Sequence, residues 1–362
     1  MKTRRFLPSF KAYEWETSTH DIAASVGLPE DKIVRLDTNT SPFIPVGPLE
    51  ALRKNLSMIP VNQYPDTSYL NLRMLLSSYC RKDDDRFVVT NGADEGLDIV
   101  VKTFLDPGEE AIVLTPTYSM FRVVTEIMNG KIIGVKRSKK FSVDVDAVLE
   151  KANRKTKLIF LCSPNNPTGN ITPVSDIDRL VKETKAVVGV DEAYFEFAGK
   201  SAAELIEKYD NLVLIRTFSK AFSMAGVRVG YLMASKTTIN ALNKVRPPNS
   251  LTVISLALAE SALGDLPSMK KNVAMIVRER ERCFFELSKM DQVEPYPSQA
   301  NFILFRLNGI DGNMVHSRLM EKGFVLRNFA DAPATKNCLR VTMSTPDVNG
   351  AFLEALRTSI AS

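Results

Sequence analysis

Histidine is almost absent from this chain of 362 residues: His20 and His316 are the only two. A metal centre built on several histidines is therefore excluded. The four cysteines, Cys80, Cys162, Cys283 and Cys338, stand far apart with no CxxC pair, so neither a disulfide framework nor a zinc site is expected. No apolar run approaches the roughly 18 residues of a membrane-spanning helix. The basic opening MKTRRFLPSF runs into Pro8 and polar residues where a signal peptide would place an apolar stretch, and a cytoplasmic protein is expected. There is no internal repeat, no low-complexity linker, and no like-charge block longer than Asp83–Asp85. The net charge of +5 is interspersed, which suits anionic small molecules as well as nucleic acid and decides between neither. No G-x-G-x-x-G follows the first predicted strand, which disfavours a nicotinamide dehydrogenase.

What is present is an ordinary globular composition, 44% hydrophobic and 25% charged. The length allows two domains, each burying its own core. From about residue 86, short β-branched runs alternate with helical stretches. Strands are expected at 86–90, 111–115, 131–137, 157–162, 186–190, 212–217 and 227–234. Helices are expected at 93–105, 118–128 and 145–153, and near 175–184 and 202–209. Continuous apolar strands separated by helices imply a mainly parallel sheet covered on both faces, an α/β architecture. Beyond about residue 255 the rhythm changes. One long helical stretch runs to about 290, strands at 301–307, 323–329 and 338–344 bracket one helix, and a helix at 347–360 closes the chain. This pattern predicts a smaller α+β domain. The first 45 residues are Pro-rich and aperiodic, as an arm plus a segment joining the small domain would be. The expected division is 1–45, 46–255 and 256–362.

Open α/β sheets bind ligands beyond the carboxyl ends of their strands. Five successive strand ends here carry polar or aromatic groups: Asn91–Glu95, Pro116–Tyr118, Ser163–Gly169, Asp191–Tyr194 and Phe218–Lys220. One such end is common; five together imply a ligand with several recognition needs. The helix start at Gly92, Ala93 and Asp94 offers free backbone N–H groups to an anion. Ser219 and Arg228 add a hydroxyl and a cationic fork that suit phosphate. Tyr118 can stack on a flat ring, Asp191 can face a cation, Asn166 and Tyr194 can hold an oxygen substituent, and Lys220 supplies a primary amine. A phosphorylated pyridine bearing a phenolic oxygen and an aldehyde uses all of these. That description is pyridoxal 5′-phosphate, joined covalently to Lys220.

The segments LDTNTSPF (36–43), QYPD (63–66), NGADEGLD (91–98), PTYSMF (116–121), SPNNPTG (163–169), DEAYFEF (191–197), RTFSKAFSMAGVRVGY (216–231), ANF (300–302), GFVLR (323–327) and LRVT (339–342) span nearly the whole chain. In this order and spacing they make the chain resemble the fold-type I aminotransferases of class I/II, and among them the histidinol-phosphate aminotransferase branch. The resemblance implies a large domain with a seven-stranded, mainly parallel sheet between helices, plus a smaller α+β domain. It implies that Lys220 carries the cofactor and shuttles a proton, that Asp191 pairs with the ring nitrogen, and that Asn166 and Tyr194 contact the ring oxygen. Gly92, Ala93, Asp94, Ser219 and Arg228 would form the phosphate cradle, with Tyr118 on the ring. Tyr64 would reach the cofactor phosphate of a neighbouring subunit, so a homodimer is implied. Arg327, Arg340, Asn166 and Asn39 would face the substrate.

The implied reaction converts histidinol phosphate and 2-oxoglutarate to imidazole acetol phosphate and glutamate, a step of histidine biosynthesis. The alternatives are another amino-acid transaminase, an aromatic one especially, or a threonine-phosphate decarboxylase. A regulatory module without turnover is disfavoured because about 45 residues are too few for a preceding DNA-binding domain. Three departures from the family pattern are expected on the substrate side. Ser9-Phe10 stands where the family has Pro-Tyr, removing a hydroxyl. Thr40 and Ser41 replace an acidic run, and Ser344 stands where a glycine is usual. His316 is expected to be structural, and Trp15 either to cover the site or to pack the arm.

Overall fold

The computed structural model describes every residue except Met1, Lys2, Arg5 and Ser362, together with the side chain of Ser9. Part of the basic opening, and the side chain in the Ser9-Phe10 departure, therefore lie outside the described residues. Among the described residues twelve strands are formed: β1 Val34–Leu36, β2 Phe87–Thr90, β3 Glu110–Thr115, β4 Lys131–Lys136, β5 Thr156–Cys162, β6 Val187–Asp191, β7 Leu212–Thr217, β8 Gly230–Ala234, β9 Val293–Pro295, β10 Phe302–Leu307, β11 Phe324–Asn328 and β12 Cys338–Thr342.

Seven of these make one sheet in the order β2-β8-β7-β6-β5-β3-β4. Its central strands β5, β6 and β7 run parallel, and only β8 runs against its two neighbours. Every residue of β2, β7 and β8 is buried, which is why these runs show no polar alternation. The sheet's two faces pack into separate apolar clusters, one centred on Leu161, Val190 and Leu214, the other on Leu97, Phe160 and Ile215. Expected strand 227–234 begins only at Gly230. A short turn of 3₁₀ helix occupies Ala225–Val227, and Arg228 is left-handed with φ 57°.

A second sheet of five strands has the order β1-β11-β12-β10-β9. β1 joins it in parallel with β11, tying residues near 35 to residues near 325. The expected single helical stretch from 255 to 290 is two helices, Val253–Gly264 and Leu266–Ser288. Pro267 sits at the start of the second, where its missing N–H costs nothing. The expected helix at 202–209 is a 3₁₀ turn over Ala203–Glu207. The aperiodic first 45 residues nevertheless contain a helix, Thr19–Val26. Ser18 caps it by accepting from the Asp21 N–H at 3.1 Å, and left-handed Gly27 ends it. Its Ile22 and Ala23 pack on Ile33 and Val325. Two buried residues in eight are too few to register as a period.

Candidate active site

The carboxyl ends of β2, β3, β5, β6 and β7 open on one cavity of about 550 Å³. Of the residues expected at the site, Asn39, Ala93, Asp94, Tyr118, Asn166, Asp191, Tyr194, Ser219, Lys220, Arg228, Arg327 and Arg340 line it. Gly92 is not on the wall but abuts Arg228, which is, and Tyr64 lies elsewhere on the surface, 85% exposed.

One end of the cavity is built for an anion. The helix Gly92–Phe104 starts there with no side-chain cap on its first N–H groups. Gly92 is left-handed, and a Cβ on it would lie 2.6 Å from Nη2 of Arg228. Gly230 admits the same close approach from the sheet side, since its Cβ would meet the Gly92 carbonyl carbon at 2.6 Å. The Ser219 hydroxyl accepts from Thr217 Oγ1 at 2.9 Å. Arg228 leans toward Asp94 at 3.5 Å and remains about half exposed to the cavity.

Deeper in, Asp191 ends β6 and is 4% exposed. It accepts from the Ala193 N–H at 2.9 Å. Burial pushes its carboxyl from 3.8 to about 7, with the Ala193 bond and the Lys220 charge pulling the other way. A carboxylate so placed favours a cationic partner. The Lys220 amine donates to the Thr38 carbonyl at 3.1 Å and opens on the cavity. Burial, then Arg340 and Arg228, lower its pKa to about 8. An appreciable share of neutral, nucleophilic amine is thus present near neutral pH. Tyr194 is buried with its ring edge-on to Phe302. Its hydroxyl accepts from Asn39 Nδ2 at 2.9 Å. Tyr118 donates its hydroxyl to Asp94 at 3.0 Å, and burial raises its pKa.

The far wall is cationic. Arg340 is 5% exposed, donates to Asn166 Oδ1 and the Asp37 carbonyl, and leaves its Nε buried without a partner. Burial lowers its pKa to about 10. Arg327 lies opposite Glu16 at 3.4 Å. The antiparallel register that pairs Arg327 with Arg340 brings the two together.

Asn39 lines the cavity, its amide nitrogen donating to the Tyr194 hydroxyl and its oxygen accepting from Thr342 Oγ1 at 3.3 Å. With φ 54° it acts as a bracket between the second sheet and Tyr194. Phe10 packs against Phe6 at 5.6 Å and does not line the cavity. A phenol is nevertheless present there: Tyr13 lines the wall and donates to Glu16 at 2.9 Å. Burial pushes its pKa up to about 12. Ser344 is not on the cavity wall; its backbone is clasped on both sides by Asn349, at 2.9 and 2.8 Å. Thr40 does line the cavity, whereas Ser41 accepts from Ser223 at 2.6 Å. Trp15 does not line the cavity; it is 81% exposed and its ring contact is within the arm, edge-on to Tyr13 at 5.8 Å. His316 meets the Leu326 carbonyl at 3.0 Å, as a structural residue would.

Tyr13 and Glu16, together with Lys11 and Arg122, are wall residues that the sequence reading missed. The signal available was a tyrosine three residues beyond Phe10.

The chain resembles known proteins over nearly its full length. It is 36% identical over 356 residues to the histidinol-phosphate aminotransferase of Caldanaerobacter subterraneus subsp. tengcongensis, covering 98% of this chain and 97% of the relative. It is 34% identical over 368 residues to the protein of that name from Methanocaldococcus jannaschii, covering 99% and 98%. Its fold matches the crystal structure of histidinol-phosphate aminotransferase from Sinorhizobium meliloti in complex with pyridoxal-5′-phosphate. The TM-score is 0.86 at 24% identity, over 99% of this chain and 98% of that one. The profile of the family described as aminotransferase class I and II matches residues 31–356, and the chain belongs to that family.

Proposed function

We propose that this chain is a pyridoxal-phosphate-dependent histidinol-phosphate aminotransferase. The observation that carries this is the naming of its full-length relatives, at 36% and 34% identity. The cavity supports it, because the residues present fit the cofactor. An uncapped helix start with Ser219 and Arg228 suits its phosphate, the buried Asp191 carboxylate suits its cationic nitrogen, and Lys220 suits its aldehyde. When bound, the cofactor supplies the electron-withdrawing ring that makes a substrate's α-proton removable.

The chain's own residues do the rest. Asp191 stabilises positive charge on the ring nitrogen. Tyr194 and Asn166 would hold the ring oxygen, and Tyr118 would cover one face of the ring. The Lys220 amine, its pKa lowered to about 8, would take the proton from the substrate's α-carbon and deliver it to the cofactor's former aldehyde carbon, on the other side of the nitrogen. Arg340, with a buried Nε unpaired, and Arg327 hold the acidic group of the amine substrate or of 2-oxoglutarate. The division at residues 46 and 255 belongs to this reading, supported by the two separate sheets. A cytoplasmic location belongs to it as well; all four cysteines are free, as a reducing compartment keeps them.

The cofactor-loaded protein given histidinol phosphate and 2-oxoglutarate is expected to form glutamate in step with imidazole acetol phosphate. Release of carbon dioxide without glutamate would move the assignment to a phospho-amino-acid decarboxylase. Glutamate formed only from an aromatic amino acid would move it to that class.

The reading includes a homodimer. Exposed apolar side chains concentrate between residues 44 and 74, among them Ile44, Val46, Met58, Val61, Tyr64 and Met74, all more than half exposed. The helices Val46–Asn55 and Leu70–Cys80 that carry part of this patch both rest on Val253–Gly264. Sedimentation equilibrium is expected to give twice the chain mass of 40.3 kDa, and Met58→Asp to shift the protein toward monomer. A wild-type monomer at micromolar concentration would remove the role given to Tyr64.

A further inference from the structure

Glu16 has no part in the reaction above, yet it touches one of the two arginines that the reaction needs. Its Oε1 accepts from the Tyr13 hydroxyl at 2.9 Å and lies 3.4 Å from Nη1 of Arg327. Both partners of the ion pair remain partly open, Arg327 at 24% and Glu16 at 32%. A long, wet pair of this kind is weakly held. Arg340 is different. It is buried, its donated hydrogen bonds go to neutral oxygens, and one of its nitrogens stays unpaired. One guanidinium therefore waits for an anion, while the other already holds one.

We infer that Glu16 is an internal competitor for Arg327, a specificity-determining residue that lowers the affinity of every ligand whose acidic group must reach that guanidinium. The inference rests on the assignment of Arg327 to the substrate's acidic group. A phosphate monoester or dicarboxylate must move the Glu16 carboxylate aside. A ligand with an uncharged side chain leaves the pair in place and is not penalised. Asp37, another carboxylate on the cavity wall, is not free to play this part, since Arg35 holds both its oxygens at 2.9 and 2.7 Å. The arm can yield at Glu16 without detaching. Arg122 holds the Lys11 carbonyl at 2.7 Å on one side, and Arg35 holds the Thr17 carbonyl at 3.0 Å on the other. The chain's single tryptophan, Trp15, lies between Tyr13 and Glu16 and is 81% exposed, so its emission reports the movement.

The test uses the cofactor-loaded protein and glutarate, a dicarboxylate with no keto group to react. Calorimetry gives its dissociation constant for wild type, Glu16→Gln and Arg327→Met, and Trp15 emission is read in the same titrations. Glu16→Gln is expected to bind glutarate roughly two- to fivefold more tightly. The KM for 2-oxoglutarate should fall in parallel. In wild type, Trp15 emission should change with saturation. A Glu16 that merely holds the arm in shape predicts the opposite sign, and weaker or unchanged binding in Glu16→Gln overturns the proposal. Emission indifferent to glutarate in wild type overturns the displacement. Arg327→Met is expected to weaken glutarate binding. If it does not, the assignment of Arg327 itself has failed, a result distinct from failure of the competition.

Discussion

Lys220→Ala is expected to lower kcat by about 10⁴-fold or more, the upper end of what removing a general acid–base group costs. The amine is placed as such a group must be. It opens on the cavity from the loop after β7, its position set by the Thr38 carbonyl at 3.1 Å. Burial and the neighbouring Arg340 and Arg228 charges hold its pKa near 8, so it can both accept and release a proton near neutral pH. Alanine removes the amine and leaves the rest of the cradle in place. Cofactor phosphate should still be retained by the helix start at Gly92, Ser219 and Arg228, and equilibrium dialysis of the variant would show it. Partial recovery of turnover by added small amines, with a rate that follows the fraction of unprotonated amine, would identify the missing group. Near-normal turnover in the variant would refute the mechanism.

Asp191→Asn should act in opposite directions on activity and on stability. Two unit charges about 4 Å apart at an effective dielectric of 20 attract by roughly 4 kcal/mol. Losing that attraction should cost about 10³-fold in kcat. In the cofactor-free protein the same carboxylate is a liability. Its folded-state pKa of about 7 exceeds the ordinary 3.8 because the ionised form is buried. A carboxyl with a raised pKa costs nothing below about pH 4. Its penalty grows as pH rises and is complete above 7, reaching at most about 4 kcal/mol. The cofactor-free Asn variant is therefore expected to melt at a higher temperature than cofactor-free wild type at pH 8, with a smaller difference at pH 5. Equal melting temperatures at pH 8 would mean that Asp191 already has a counter-charge in the folded chain. Activity within tenfold of wild type would mean that no cation depends on it.

The strand ends were legible because each cavity-lining residue there is tied to a local signal. Asp191 follows an apolar run, and Lys220 follows another by three residues. Gly92 marks a helix start. Once those strands are parallel neighbours, their carboxyl ends must lie together. The opposite wall offered no such signal. Tyr13 and Glu16 lie in an arm without periodicity, and their place depends on contacts with Arg327, more than 300 residues away. Phe10 and Tyr13 are three residues apart, and no local pattern says which of two aromatics faces the cavity. Ser344 shows the reverse error: close in sequence to Arg340, it is turned away into a clasp with Asn349.

By itself the sequence determined the α/β architecture, the strand-end residues that line the cavity and the family, because these rest on local apolar periodicity and on short motifs whose spacing is set by strand and helix length. Only the tertiary structure decided that β8 runs against its neighbours, that Asn39 is bound to Tyr194, that Arg340 is buried while Arg327 is paired, and that Tyr13 rather than Phe10 lines the cavity. Each of these depends on which distant segments pack together. That choice follows from the summed burial of the whole chain, which no local stretch of residues encodes.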